Sequence, residues 1–150
     1  MRVVIQRVLD ASVTIDGRMH SSIGRGLLVL LGITHDDQEE DVQWLVRKIA
    51  ALRIFDDPDG VMNLDVRQTG GDVLVVSQFT LMAMTKKGNR PSYIKAAGEE
   101  VAVPLYEEFL RQMAAAMGKE VFAGVFGADM KVALTNDGPV TIVIDSKARE

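Results

Sequence analysis

The sequence predicts a single α+β domain over residues 1–150, with a largely antiparallel or mixed β-sheet that curls toward a barrel and packs against two main helices. Short apolar segments rich in Val, Ile and Leu recur from one end of the chain to the other and are typical of strands. Two longer segments repeat apolar residues at helical spacing instead. Polar turn sequences separate these segments, and there is no linker, internal repeat or low-complexity tract.

The first third of the chain predicts a hairpin followed by a central strand. Residues 1–8 and 11–15 alternate apolar and polar side chains, and Asp16-Gly17 is a turn sequence that favours a tight hairpin. Residues 26–33 are apolar almost throughout, which indicates a strand buried on both faces.

The first helix is predicted at about residues 37–52. The preceding segment Thr34-His35-Asp36-Asp37 offers a capping residue and acidic side chains for the first turn. The apolar positions that follow have the spacing of one helical face: Val42, Leu45, Val46, Ile49 and Leu52.

The middle of the chain predicts a second buried strand, a basic loop and the second helix. The strand at 72–79 ends in the polar pair Ser77-Gln78, and the loop at 84–91 contains Gly, Pro and three cations. A helix is predicted at about 99–117, ending before Gly118 because glycine favours the helix C-terminus.

The last part of the chain predicts strands at 121–126, 130–135 and 140–145. Gly138-Pro139 interrupts this region. Proline cannot donate to a strand ladder, so a β-turn between two strands is the favoured interpretation, and the sequence by itself does not predict a cis bond.

Composition excludes several classes of function. The apolar fraction of 47% and the charged fraction of 25% are those of an ordinary soluble globular protein, and no stretch approaches a membrane span. The net charge of −4 argues against a long basic groove for DNA, although one end of an RNA could still bind to a local patch. The chain has no cysteine and no signal-peptide pattern at its start, so we expect a cytoplasmic protein.

Chemically useful groups are few, and each has an ordinary structural alternative. The segment 77–81, Ser-Gln-Phe-Thr-Leu, lies at a strand end, where backbone N–H groups freed from the ladder could bind an oxyanion. A self-satisfied strand end is equally compatible with it. The loop 86–93 contains Lys86, Lys87, Arg90 and Tyr93, so its cations could bind phosphate and its aromatic ring could stack on a base, but a solvated loop is the simpler interpretation.

The histidines and the acidic cluster offer no clear catalytic arrangement. His35 is predicted to belong to a helix cap and His20 to a hairpin arm, and neither has a nucleophile beside it. The acidic residues at 36–41 are typical of a helix start. No spacing suggests converging metal ligands, so we expect neither a metal nor another cofactor.

Two motifs together resemble the signature motifs of the D-aminoacyl-tRNA deacylase (D-tyrosyl-tRNA(Tyr) deacylase) family. They are Ser-Gln-Phe-Thr-Leu at 77–81 and Asn-Asp-Gly-Pro-Val-Thr at 136–141. The resemblance extends along nearly the whole chain, including residues 1–8, 26–32, 52–55, 62–64, 88–92 and 124–132. Two motifs in this order and with this flanking agreement are far more specific than a lone Gly-Pro.

The resemblance implies a cytoplasmic homodimer that hydrolyses the ester between a D-amino acid and the 3′ acceptor end of tRNA. It implies catalytic roles for Ser77, Gln78, Phe79 and Thr80. It also implies that the Gly138-Pro139 bond is cis and that this dipeptide enters the partner's active site. It implies that Arg7 helps to hold this dipeptide in place, and the family match at 124–130 makes Phe126 and Met130 candidates for binding the terminal adenosine. Lys86, Lys87 and Arg90 form a local basic patch and are candidates for binding the RNA phosphates. Neither a membrane nor DNA is an expected partner.

The scarcity of catalytic side chains fits an ester that is already activated. Backbone N–H groups near Phe79 and Thr80 can stabilise the oxyanion, and the 2′-OH of the RNA can assist attack by water. A nucleophilic Thr80 remains open, although no base is evident beside it. A rigid Gly138-Pro139 wall would exclude L side chains yet admit glycine, so glycyl-tRNA is a further expected substrate. The alternatives are an editing hydrolase for another mischarged aminoacyl-tRNA, a non-catalytic dimeric module that binds a tRNA end, and a purely structural dimer.

Overall fold

Strand β1 (Arg2–Ile15) is the centre of the fold, because three other strands pair with it antiparallel in the computed structural model, which describes residues 1–150. Its first half pairs with β3 (Gly26–Gly32) and its second half with β2 (Arg18–Ile23). The last strand, β8 (Lys131–Asp145), runs along the opposite edge of β1 over almost its whole length. The two strands predicted at 1–8 and 11–15 are therefore one continuous strand.

The sheet is mixed, as predicted, and nearly closes into a barrel. β3 pairs in parallel with β6 (Asp72–Ser77), and β6 pairs in parallel with the short β7 (Phe122–Ala123). The hydroxyl of Ser21 on β2 donates to the carbonyl oxygen of Ala123 on β7 over 2.9 Å. This contact brings the two ends of the sheet together. β7 is shorter than the predicted strand at 121–126.

Two helices, α1 (Glu39–Ala51) and α2 (Glu99–Met117), cover one face of the sheet. α2 has the predicted bounds, and Gly118 ends it in the left-handed conformation. The predicted cap of α1 at 34–37 is wrong. Gln38 caps this helix, with the carboxylate of Asp41 accepting from the backbone N–H of Gln38 in a capping box.

The core has two parts, one on each face of the sheet. Alternate residues of β3, namely Leu27, Val29 and Leu31, face the helices. They pack against the apolar faces of α1 and α2, which consist of Val42, Leu45, Ile49, Tyr106, Phe109 and Met113. The opposite face is buried by the curl of the sheet: Val8, Ala11, Val13, Ile23, Leu28, Leu74 and Val76.

Short elements complete the chain. β4 (Phe55–Asp56) and β5 (Met62–Leu64) form a separate antiparallel pair after α1. A single 3₁₀ turn, Phe79–Met82, follows β6 after one residue, Gln78. The predicted strand at 72–79 therefore ends at Ser77, and the next residues turn away from the sheet. Neither helix is long and apolar enough to cross a membrane.

β8 differs most from its prediction. Residues 130–135 and 140–145 belong to one strand, and the predicted turn at Gly138-Pro139 is wrong. In its pairing with β1, Gln6 faces Thr141 and Val8 faces Asn136, so only Arg7 lies opposite residues 137–140. The extra residues form a bulge that projects from the strand, which is how an edge strand accommodates proline.

Candidate active site

A cavity of about 310 Å³ opens at the end of β6. Ser77, Gln78 and Phe79 form one wall, and Phe126 and Met130 form another. The structure therefore brings together five of the residues that the sequence analysis selected. Most of the remaining wall is apolar: Leu31, Ile33, Val76, Ala97, Ala102, Ala128 and Val132. Gly127 and the carboxylate residue Asp129 complete it. The small residues Ala97, Ala102 and Ala128 were not predicted as site residues, because alanines have no chemical signature in a sequence.

The end of β6 fixes the polar wall of the cavity. Ser77 pairs with Leu31 of β3, and the backbone N–H of Gln78 donates to the carbonyl oxygen of Leu31 over 2.7 Å. The chain then enters the 3₁₀ turn, whose first N–H groups have no acceptor within the turn. These N–H groups belong to Phe79, which lines the cavity, and to Thr80, which follows it and does not line the cavity.

The hydroxyl of Thr80 is held by a neighbouring amide. Gln78 Nε2 donates to Thr80 Oγ1 over 2.5 Å. An amide nitrogen that donates cannot remove a proton from this hydroxyl. No histidine or carboxylate hydrogen-bonds to Thr80, so the structure shows no general base for it.

The 3₁₀ turn is also attached to the far end of β8. Arg2 Nη1 donates to the carbonyl oxygen of Leu81 over 2.8 Å, and Arg2 Nε donates to Asp145 Oδ2 over 3.1 Å. Arg2 thus connects the first motif to the strand that contains the second.

Phe126 is backed by a buried tyrosine of α2. The rings of Phe126 and Tyr106 have centroids 5.7 Å apart, and the Tyr106 hydroxyl donates to the carbonyl oxygen of Val75 over 3.4 Å. Burial raises the pKa of Tyr106 to about 12, so its hydroxyl stays protonated at neutral pH. Met130 lies across Gly124, where a Cβ atom would collide with the Met130 sulfur.

Gly138-Pro139 lies in β8, away from the cavity. Its peptide bond is cis, as the resemblance implied, and Gly138 has a φ of +127°. Both residues are exposed, and neither lines the cavity of its own chain. The bulge is held from beneath by Arg7, whose Nε donates to the carbonyl oxygen of Asp137 over 3.1 Å.

The side chain of Asn136 connects the two ends of this bulge to each other and to β1. Its Nδ2 donates to the carbonyl oxygen of Arg7 over 2.9 Å and to that of Val140 over 3.1 Å. From the sequence, Asn136 is recognisable only as part of the motif at 136–141. The signal for this role is the amide side chain itself, which can donate two hydrogen bonds at a strand irregularity.

The predicted phosphate-binding residues form a separate surface. Lys86, Lys87 and Arg90 are exposed on a loop that is closed at its base by backbone hydrogen bonds between Met84 and Ser92. None of the three lines the cavity. Tyr93 follows this loop directly and contacts Phe79 at the cavity edge, with ring centroids 5.1 Å apart.

The histidines lie outside the cavity. His20 is on β2, as predicted for a hairpin arm, and His35 Nε2 lies 3.1 Å from the carbonyl oxygen of Ile94. The expected role of His35 in the helix cap is wrong. No cluster of His, Asp or Glu side chains is arranged to hold a metal ion.

Comparison with known proteins identifies the family. The family model described as D-Tyr-tRNA(Tyr) deacylase matches residues 4–145, and the chain belongs to this family. A protein of Bacteroides thetaiotaomicron named D-aminoacyl-tRNA deacylase is 61% identical over 150 residues, which is 100% of both chains. A protein of the same name from Flavobacterium psychrophilum is 59% identical over the same span.

Two solved structures have the same fold. One is described as the c-Myc DNA Unwinding Element Binding Protein, with a TM-score of 0.94 and 43% identity over 99% of this chain and 100% of that one. The other is described as a probable eukaryotic D-amino acid tRNA deacylase, with a TM-score of 0.82 over 95% of this chain and 97% of that one. At 18% identity the second supports the fold alone.

Proposed function

We propose that this protein hydrolyses the ester bond of D-aminoacyl-tRNA and releases a free D-amino acid and tRNA. The observation that supports this most is the cavity at the end of β6, where Ser77, Gln78 and Phe79 meet Phe126 and Met130 in a chain of the deacylase family. The cavity has room for an amino acid and part of a nucleoside. Residues 1–150 act as a single deacylase domain in this proposal.

The reaction needs little from protein side chains. The oxygen of a water molecule attacks the ester carbonyl carbon, the bond from that carbon to the ribose oxygen breaks, and a proton passes to the departing ribose oxygen. The N–H groups of Phe79 and Thr80, at the start of the 3₁₀ turn, stabilise the oxyanion. The neighbouring 2′-OH of the RNA assists the attack.

Thr80 positions the ester in this mechanism and does not attack it. A nucleophilic hydroxyl needs a base or a lowered pKa, and the one side chain bonded to Thr80 is a donating amide. The same Gln78 amide holds the Thr80 oxygen and leaves the hydroxyl proton available as a donor.

Chirality is read by the Gly138-Pro139 dipeptide of a partner subunit. The dipeptide projects from edge strand β8 and lies outside its own cavity, so a second copy is needed to place it over the ester. A fixed backbone wall excludes an L side chain by collision, which discriminates more strongly than apolar contacts favouring a D side chain. Such a wall does not exclude glycine, so glycyl-tRNA is also a substrate.

The same arrangement provides binding positions for the 3′ end of the RNA. Phe126 and Met130 contact the terminal adenosine inside the cavity, while Lys86, Lys87 and Arg90 bind phosphates outside it. Three cations give modest affinity that falls with added salt. The protein needs no cofactor, neither DNA nor a membrane is a partner, and the proposed site of action is the cytoplasm, where aminoacyl-tRNA is used.

The test compares D-tyrosyl-tRNA, L-tyrosyl-tRNA and glycyl-tRNA with the purified protein. We expect release of D-tyrosine and glycine, and release of L-tyrosine no faster than spontaneous hydrolysis. Faster release from the L substrate contradicts the proposal and favours an editing hydrolase for another mischarged tRNA. Saturable binding without release from any substrate favours a non-catalytic module.

A further inference from the structure

Two aromatic rings at the rim of the cavity are exposed to solvent. Phe79 lines the cavity, yet 56% of its surface is accessible, and Tyr93 is 39% accessible. The two rings meet edge to face, with centroids 5.1 Å apart and planes at 71°. Phe79 and Tyr93, called here the aromatic step, thus lead from the cavity to the surface. Exposed apolar rings that contact each other form the kind of continuous apolar surface that marks a binding groove.

The segment that carries Tyr93 is positively charged. Residues 82–98 contain Lys86, Lys87, Arg90 and Lys95 and no acidic residue. All four cations are exposed, and none forms an ion pair within the chain. The whole chain nevertheless has a net charge of −4, so this local excess of positive charge is a distinct feature of the molecule.

Backbone hydrogen bonds fix the aromatic step in place. Met84 and Ser92 exchange hydrogen bonds of 2.8 and 3.0 Å at the base of the basic loop, and Tyr93 comes directly after this pair. On the other side, the N–H of Ala96 donates to the carbonyl oxygen of Tyr93 over 2.9 Å. The ring of Tyr93 is therefore attached to a well-defined segment and not to the tip of the loop.

We propose that the aromatic step binds the penultimate base of the single-stranded RNA end by stacking on Tyr93, while the exposed cations bind the phosphates on its 5′ side. This inference rests on the proposed function, which places the terminal adenosine in the cavity. Proteins that hold single strands combine these two elements, an aromatic stacking surface and a cationic track. Tyr93 contacts Phe79 at the cavity edge and follows the base of the loop that carries Lys86, Lys87 and Arg90, so it connects the cavity to the basic loop, as a strand leaving the cavity requires.

The test compares Tyr93→Ala with the matched control Tyr93→Phe on two substrates. One is a D-tyrosyl minihelix with a natural single-stranded 3′ end, and the other is 3′-O-D-tyrosyl-adenosine, which has no penultimate nucleotide. Stacking of one base is worth about tenfold in affinity. We therefore expect Tyr93→Ala to raise KM on the minihelix about tenfold with kcat unchanged, and to leave the adenosine substrate unaffected. Tyr93→Phe keeps the ring and should behave as the unmodified protein on both.

A minihelix with an abasic penultimate nucleotide gives a second readout. We expect it to raise KM for the unmodified protein to the level of Tyr93→Ala, and to have no further effect on that variant. Equal losses on both substrates would overturn the inference, because they would indicate a structural role for Tyr93. An unchanged KM on the minihelix would also overturn it. Failure of the unmodified protein on every substrate contradicts the proposed function itself, together with the inference that depends on it.

Discussion

Arg7 on β1 holds the backbone immediately before Gly138 on β8. Its Nε donates to the carbonyl oxygen of Asp137 over 3.1 Å, and its Nη1 donates to the carbonyl oxygen of Ile54 over 2.8 Å. The guanidinium also lies near the carboxylates of Asp56 and Asp137. Because Arg7 is the single β1 residue opposite the bulge, its planar fork sets the position of the dipeptide relative to the sheet.

Arg7→Lys should lower both stability and activity. An ammonium group keeps the charge but cannot reach two backbone carbonyls with the geometry of the guanidinium. We expect the free energy of unfolding to fall by about 2 kcal/mol, since a buried carbonyl loses its donor. Urea denaturation measures this, and D-aminoacyl-tRNA hydrolysis should fall in parallel.

The matched control is Arg53→Lys. In the unmodified protein, Arg53 Nε donates one exposed hydrogen bond to the carbonyl oxygen of Asn63. This substitution should change stability by less than about 0.5 kcal/mol. Equal effects of the two substitutions would show that Arg7 does not hold the bulge.

Gly138→Ala should disturb the same contact from the other side. A Cβ at Gly138 would lie 2.9 Å from Val140 Cγ2 and 3.1 Å from Arg7 Nη2, and a φ of +127° is unfavourable for alanine. We expect a loss of about 1–3 kcal/mol in stability. Gly24→Ala is the control, because nothing lies within 4 Å of its added Cβ. If thermal denaturation shows both variants unchanged, Gly138 has more room than the structure indicates.

Thr80→Ala separates positioning from nucleophilic attack. With a backbone oxyanion site, we expect this variant to keep a measurable part of kcat, lower by about 10- to 100-fold. A substrate ending in 2′-deoxyadenosine should also be hydrolysed slowly by the unmodified protein, since the assisting hydroxyl is missing. Rapid-quench detection of an acyl-enzyme on Thr80 would contradict this mechanism.

Stability should fall at acidic pH, in part through Asp41 at the start of α1. Burial alone would raise the pKa of Asp41, but the Ser146 hydroxyl at 2.6 Å and the backbone N–H of Gln38 at 2.9 Å outweigh it and lower the pKa below 3.8. A carboxylate with a lowered pKa stabilises the folded state above its unfolded pKa, and this contribution disappears as pH falls through the folded pKa.

We therefore expect urea midpoints to be steady well above pH 4 and to fall below it. Asp41→Asn should be less stable at neutral pH and should lose less stability on acidification. The same dependence on pH in both proteins would show that Asp41 contributes nothing to it.

The sequence predicts elements whose signals are local. The helix ending at Gly118 and the hairpin at Asp16-Gly17 follow from spacing and turn chemistry, and both are confirmed. The cap of α1 was wrong because Asp37 pairs with the amino group of Met1, at 2.5 Å, in a tertiary contact. Gln38 then takes the capping position.

The same distinction applies to the candidate site: the sequence marks its local motifs but not the tertiary contacts between them. Ser77 and Phe79 are adjacent in sequence, and the motif marks them, but their meeting with Phe126 and Met130 depends on the parallel pairing of β6 with β7. The Gly138-Pro139 segment has the composition of a turn. It lies within one strand because β1 pairs on both sides of it, which no local pattern reveals.

The most direct test of the central claim is a mixed-subunit assay for chiral selection. One subunit has Pro139→Gly, with an intact cavity and an altered wall. The other has Ala128→Trp, which fills the cavity but leaves the wall intact, and it should be inactive alone. We expect Pro139→Gly alone to release L-tyrosine from L-tyrosyl-tRNA, or to lose activity on the D substrate. Adding excess Ala128→Trp subunits should restore the normal preference for D, because each intact cavity then receives its wall from the partner. If native mass spectrometry shows mixed dimers and the defect persists in them, the wall does not come from the partner subunit.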